Sequence, residues 1–165
     1  MAKFVSEKIK MKTAARLAAV QATYMIAYSQ LPVDEVIKDF TSGEVGRFVI
    51  EETPEDGSEE FREVEPMDKV YFEKLVRGVH GKKEGLEKSL NLFLSAGRSL
   101  ERLDGTLQAL LLCAIYEINN TLDLDVKVVI QEYVDMAYAF FSKGEPKMVN
   151  ALLDQIAKEV RPENA

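Results

Sequence analysis

The chain has 165 residues, 47% of them hydrophobic, with 21 Lys plus Arg, 28 Asp plus Glu and a formal net charge of -7. This length and balance predict one self-supporting domain over residues 1–165. A single cysteine, Cys113, excludes an intramolecular disulfide, and a single histidine, His80, excludes a Cys/His zinc cluster within one chain.

No uninterrupted apolar run approaches the ~20 residues that span a bilayer. The Lys-studded start of the chain leads into an Ala-rich stretch that continues as a patterned helix. We therefore expect a soluble, cytoplasmic protein that does not associate with membranes.

The N-terminal third predicts two helices. Residues Lys8 to Tyr28 contain no Gly or Pro, and their larger side chains recur at helical spacing among alanines, which is typical of a packed helix. Pro32 and Asp34 suit the first turn of a second, short helix that continues to Phe40.

The segment at about 43–66 differs from the rest of the chain. Residues 44–65 contain nine acidic residues and only two arginines, and Gly and Pro interrupt any helix. Phe48 and Ile50 alternate with polar residues, which would suit a small hairpin of residues 47–51 with 61–64. The charge density favours a mobile, solvated loop instead, so we interpret the segment as an acidic loop insertion.

Helical periodicity returns after Pro66 and continues to the C-terminus. Five apolar stripes follow one another; they begin at Phe72, Leu86, Leu107, Val126 and Val149. We expect Gly78 and Gly81 to end the first of these helices. The pattern predicts an all-α fold, a compact bundle of about seven helices.

The sequence carries little that indicates catalysis. His80 next to Gly81 predicts an exposed residue at a helix end, and Cys113 among Leu, Ala and Ile predicts a small buried hydrophobe. Lys82 follows Gly81, but the other residues of a phosphate-binding loop are absent. We therefore predict that the protein is not an enzyme and has no catalytic residues, cofactor or metal site.

Positive charge is concentrated at the N-terminus. Residues 1–16 contain five cations against Glu7 alone, whereas the rest of the chain has 16 cations and 27 acids. Lys8, Lys12 and Arg16 are spaced by four residues, so one helix face would present three cations within about 12 Å. Such a row suits RNA phosphates, and a merely solvated face is an equally good interpretation of the spacing alone.

Five segments in order resemble one known family. They are residues 15–24 (ARLAAVQATY), 71–79 (YFEKLVRGV), 114–118 (AIYEI), 127–132 (KVVIQE) and 148–153 (MVNALL). Together they resemble the signature segments of NusB-type transcription antitermination factors.

The resemblance implies an all-α fold of seven helices and a specific role. Factors of this type bind the boxA element of nascent ribosomal RNA transcripts together with a small-subunit ribosomal protein, NusE, and join the RNA polymerase antitermination complex. On this resemblance the RNA-binding residues are Lys10, Lys12 and Arg16, to which the spacing adds Lys8, and also Lys147 and Met148.

Two further features follow from the resemblance. Tyr24 and Tyr28 match positions that face the ribosomal protein. Relatives often have an Arg-rich run where this chain has Lys10 to Ala14, so fewer bidentate phosphate contacts are available here. The alternative is a helical protein-interaction module that forms homodimers through its tyrosine-bearing faces and binds RNA only weakly.

Overall fold

The computed structural model describes residues 2–42, 48–52, 59–63, 66–94 and 99–161. The helices are α1 (Ala2–Ser29), α2 (Val33–Ser42), α3 (Lys69–Gly81), α4 (Lys83–Phe93), α5 (Gly105–Asn120), α6 (Val126–Phe140) and α7 (Glu145–Val160). A single 3-10 turn covers Leu100–Arg102, and two strands, β1 (Phe48–Glu52) and β2 (Glu59–Glu63), form an antiparallel pair. The predicted all-α class with seven helices is confirmed. None of the helices in these ranges is both long and apolar enough to cross a membrane.

The contacts within the chain divide it into two compact units, Met1–Lys74 and Leu75–Ala165. The boundary falls inside α3. That residues 1–165 form a single domain therefore stays a prediction.

In the first unit, small side chains bring two helices together. The side chains of Ala15, Ala19 and Ala22 on α1 are fully buried, and α1 contacts α2. Helix α2 buries Phe40, whose ring lies 5.5 Å from that of Phe72 on α3, measured between centroids. Apolar burial of this kind stabilises the pairing by about 25 cal/mol per Å².

The acidic segment contains the two strands, so the structure has a small hairpin where the charge density favoured a solvated loop. Val49 pairs with Arg62 and Ile50 with Phe61, close to the hairpin that the alternation suggested. The run Phe48 to Ile50 consists of residues that favour strands, and each residue of β1 has a partner in β2. The other residues at 43–66 that belonged to this prediction, 43–47, 53–58 and 64–65, lie outside the described residues.

In the second unit, α5 is the central helix. It contacts α4, α6 and α7, and every side chain from Ala109 to Ile118 is buried. The carboxylate of Asp104 accepts hydrogen bonds from the N–H groups of Thr106 and Leu107, which caps the helix at its N-terminus. Cys113 is fully buried on α5, as the sequence predicts.

The C-terminal end of α5 is capped by a residue distant in sequence. Arg161 is 4% exposed, and its guanidinium donates hydrogen bonds to the backbone carbonyls of Ile118, Thr121 and Leu124 at 2.6 to 3.0 Å. The last carbonyls of a helix have no partner within the helix, and they lie at the negative end of its dipole. Arg161 therefore supplies charged donors to the carbonyls of Ile118 and Leu124 and a second donor to that of Thr121, which also accepts the N–H of Leu124.

Gly78 lies inside α3 and does not end it, which corrects the sequence-based expectation. A Cβ atom built on Gly78 would lie 2.0 Å from Cζ of Tyr116 on α5, far inside the contact limit. Glycine is present here because the tyrosine ring packs directly against the helix backbone. Gly81, the other expected terminator, is the last residue of α3.

We expect Gly78→Ala to lower the free energy of unfolding by about 1–3 kcal/mol, because the added methyl group forces the buried Tyr116 ring to move. Gly85→Ala is the matched control. It lies inside α4 with no atom within 4 Å of the added Cβ, so it should raise stability by about 0.5–1 kcal/mol. Urea denaturation measures both, and equal effects would contradict the packing explanation.

Arg161→Gln should lower the free energy of unfolding by about 3 kcal/mol, because it leaves buried carbonyls without charged donors. Lys158→Gln is the comparison, since Lys158 forms only an exposed ion pair with Asp154 at 3.3 Å. Its effect should stay below about 0.5 kcal/mol. A loss at Arg161 no larger than at Lys158, again in urea, would show that the cap is dispensable.

Candidate nucleic-acid interface

The cations of α1 differ in how far they reach solvent. Lys8 and Lys10 are exposed and Lys12 is half-buried, whereas Arg16 is only 3% exposed. The expectation that one face of α1 presents Lys8, Lys12 and Arg16 alike is therefore wrong for Arg16. Helical spacing places the three residues on one side of α1, but it does not show which other segments of the chain pack against Arg16.

The start of α3 is fixed against α1 by Asp68. The backbone N–H of Asp68 donates to the carbonyl of Met11 at 3.1 Å. Its carboxylate accepts the N–H of Tyr71 at 3.0 Å, and its carbonyl accepts the N–H of Phe72 at 2.9 Å. One residue thus caps α3 and joins it to α1 one residue before Lys12.

As a result, the ring of Tyr71 lies among basic side chains. Nζ of Lys12 is 4.9 Å from the ring centroid, Cζ of Arg16 is 5.6 Å from it, and Nζ of Lys74 is 5.8 Å from it. These distances lie within the range of cation–π attraction. We call these four residues the Tyr71 cluster; only Lys12 and Arg16 were predicted as functional.

Sequence reasoning missed Asp68, Tyr71 and Lys74 as parts of this site. Asp68 stands three residues before Tyr71, a spacing typical of a helix cap, so the cap was detectable. The spacing of Lys12 and Lys74 in the sequence does not indicate that both lie near the Tyr71 ring, because that depends on how two helices pack.

The predicted residues of the second unit lie in the first turn of α7. Lys147 is exposed and Met148 is half-buried. Met148 lines a cavity of about 400 Å³, whose other lining residues are Ser99, Arg102, Leu103, Asp104, Leu107, Gly144 and Glu145. The cavity combines apolar side chains with one cation and two acids. Such a mixture can hold a flat polar molecule by contact and by a few hydrogen bonds.

Tyr24 and Tyr28 form a stacked pair on α1. Their ring centroids are 4.5 Å apart at an interplanar angle of 29°, and the residues are 40% and 59% exposed. Large aromatic side chains that remain accessible are enriched at protein interfaces. The pair is thus suited to contact another protein.

Nothing in the described ranges resembles a metal centre, since no group of three or more His, Cys, Asp or Glu side chains is placed to hold an ion. His80 is exposed in the last turn of α3, as predicted.

Comparison with known proteins identifies the family. The model of the NusB family matches residues 13–158. The chain is 42% identical over 157 residues to the transcription antitermination protein NusB of Rhodospirillum rubrum, covering 92% of this chain and 85% of that one. It is 37% identical over 152 residues to the protein of the same name from Novosphingobium aromaticivorans, covering 92% and 96%.

A solved structure shares the fold. T. maritima NusB superposes with a TM-score of 0.70 at 21% identity, covering 93% of this chain and 98% of that one. The signature segments at 15–24 and 148–153 fall within the matched residues, as do Arg16 and Tyr71. With nearly the whole chain covered by the family model and by relatives well above 30% identity, this chain belongs to the NusB family.

Proposed function

We propose that this protein is a transcription antitermination factor. It binds the boxA element of nascent ribosomal RNA transcripts together with the small-subunit ribosomal protein NusE, as part of the RNA polymerase antitermination complex. Support comes from family membership and from the name that its relatives carry, transcription antitermination protein. The structural observation that carries the proposal is the cation-rich end of α1, where Lys8 and Lys10 are exposed and the half-buried Lys12 lies beside Tyr71.

The charge distribution favours a local contact with RNA. The chain has a net charge of -7, so it repels polyanions in general. A strand that binds must therefore meet the basic end of α1, where ammonium groups can replace the counterions of its phosphates.

Within the second unit, the cavity beside Met148 is suited to hold a nucleotide base. Single-stranded RNA is read through unstacked bases that contact flat or apolar side chains and polar groups. Met148 offers a polarisable apolar surface and Arg102 offers donors, and Lys147, the residue before Met148, is exposed. The cations of α1 and this cavity belong to different units, so each requires its own test.

The Tyr24 and Tyr28 pair supports a contact with the ribosomal protein. Binding of two ligands to two surfaces of one chain can raise the affinity for each, and such coupling is reciprocal. The same exposed pair also suits the alternative function, a homodimer that binds RNA weakly.

Lys8→Glu combined with Lys10→Glu should reduce boxA affinity at least about tenfold, because two phosphate contacts become repulsive. Fluorescence anisotropy with labelled boxA RNA, against a scrambled RNA and with NusE present or absent, measures this. For the unaltered protein, three to five contacts predict a log–log salt slope of roughly -2 to -3.5.

The matched control is Lys38→Glu with Lys83→Glu, two exposed positions on α2 and α4 that produce the same change of total charge. Arg16→Glu is avoided, since a buried carboxylate would destabilise the fold and confuse the result. Equal affinity in the two double variants would refute the assignment of α1.

Tyr24→Ala with Tyr28→Ala should abolish binding of NusE, because it removes an exposed aromatic surface, while boxA binding by the isolated chain persists. Tyr138→Ala is the control, since Tyr138 on α6 is similarly exposed. Isothermal titration with NusE tests the contact, and light scattering tests the alternative. A dimer that dissociates in the double tyrosine variant and is indifferent to RNA would favour the homodimer.

A further inference from the structure

Three cations from two helices approach a single aromatic ring in the first unit. Lys12 and Arg16 come from α1 and Lys74 comes from α3, and each charged group lies within 6 Å of the Tyr71 ring centroid. The separation between any two of these charged groups therefore cannot exceed the sum of their distances to the ring centroid. Like charges at such separations repel each other, and the ring's quadrupole offsets only part of this cost.

The members of the Tyr71 cluster differ in accessibility. Arg16 and Tyr71 are 3% and 8% exposed, so they form the buried part of the cluster. Lys12 is half-buried and Lys74 is exposed. The hydrogen bonds of Asp68 to Met11 and Tyr71 hold this buried part in place. The two lysines are therefore the accessible members of the cluster, next to a ring that is itself buried.

Two acidic residues, Asp68 and Glu73, stand close to Tyr71 and Lys74 in the sequence. The carboxylate of Asp68 accepts the N–H of Tyr71, and Glu73, which also has a partner, contributes one exposed charge next to Lys74. The three cations remain close to one another around one ring. An additional anion would lower the repulsion among them.

We propose that Lys74 joins Lys12 and Arg16 in one phosphate-binding site around Tyr71, with Tyr71 as the residue that positions the cations. The ligand is a phosphodiester of the RNA backbone, and the proposal rests on the RNA-binding function proposed above. A phosphodiester has two non-bridging oxygens, so Lys12 and Lys74 can each donate to one of them. The buried guanidinium of Arg16 adds positive potential beside the same ring. Lys74 thereby supplies an RNA contact from a helix other than the one that carries the N-terminal basic residues.

The decisive variant is Lys74→Gln, which removes one exposed charge and leaves the buried Arg16 and Tyr71 in place. In anisotropy titrations of boxA RNA with the full chain and NusE, it should weaken binding by about 3- to 10-fold and reduce the magnitude of the salt slope by about 0.7. Lys38→Gln, an exposed lysine on α2 of the same unit, is the matched control and should change neither quantity measurably.

Tyr71 is tested by replacing the ring. Tyr71→Phe keeps the aromatic face and should retain at least about half of the RNA affinity, whereas Tyr71→Leu keeps apolar bulk without the quadrupole and should lose affinity about as much as Lys74→Gln. Thermal unfolding accompanies each titration. If Tyr71→Leu unfolds, the comparison of Lys74→Gln with Lys38→Gln decides whether the phosphate-binding site exists.

The outcomes separate the two proposals. If the unaltered protein does not distinguish boxA from scrambled RNA at any salt concentration, the proposed function fails and this site with it. If boxA binds well but Lys74→Gln behaves like Lys38→Gln in affinity and salt slope, only the phosphate site is overturned. A loss confined to Lys74→Gln with an unchanged slope would also overturn it, because removal of a phosphate contact must change counterion release.

Discussion

The position of Tyr71 depends on a single residue, Asp68, which links two helices through their backbones. Its N–H reaches the Met11 carbonyl of α1, and its carboxylate caps the first turn of α3. These bonds set the axial register of one helix against the other, so that the aromatic ring of α3 meets the basic row of α1. The arrangement of charges at this end of the chain follows from that register, because side chains three or four residues apart on α1 share one face.

Arg16 and Lys12 show that cations on one side of a helix can differ in burial. A guanidinium can be buried when an aromatic face and hydrogen-bond partners replace part of its hydration, whereas an ammonium keeps more water and remains nearer the surface. Lys12, one turn earlier, accordingly stays half-exposed over the same ring. The basic residues of this row thus divide into a buried member, Arg16, and the more accessible Lys8 and Lys12.

The second unit satisfies its buried polar groups in a similar way. Tyr133 donates its hydroxyl hydrogen to the fully buried Glu117 at 2.8 Å, and Arg161 covers the carbonyls at the end of α5. A buried carboxylate or carbonyl without a partner would cost several kcal/mol, so these contacts fix how α5, α6 and the end of α7 fit together. The first turn of α7, with Lys147 and Met148, belongs to the same helix that carries Arg161 at its end.

The sequence alone determined the seven helices, because apolar periodicity and breaks at Gly and Pro are local properties of a chain. It also located the N-terminal cations and, by resemblance, the family. It could not determine that Arg16 is buried, that Gly78 accommodates Tyr116, or that Lys74 joins Lys12 beside Tyr71. Each of these depends on which residues of distant segments meet, and only tertiary packing decides that. The acidic hairpin was misjudged for a related reason: charge density is visible in the sequence, whereas strand pairing depends on a partner segment.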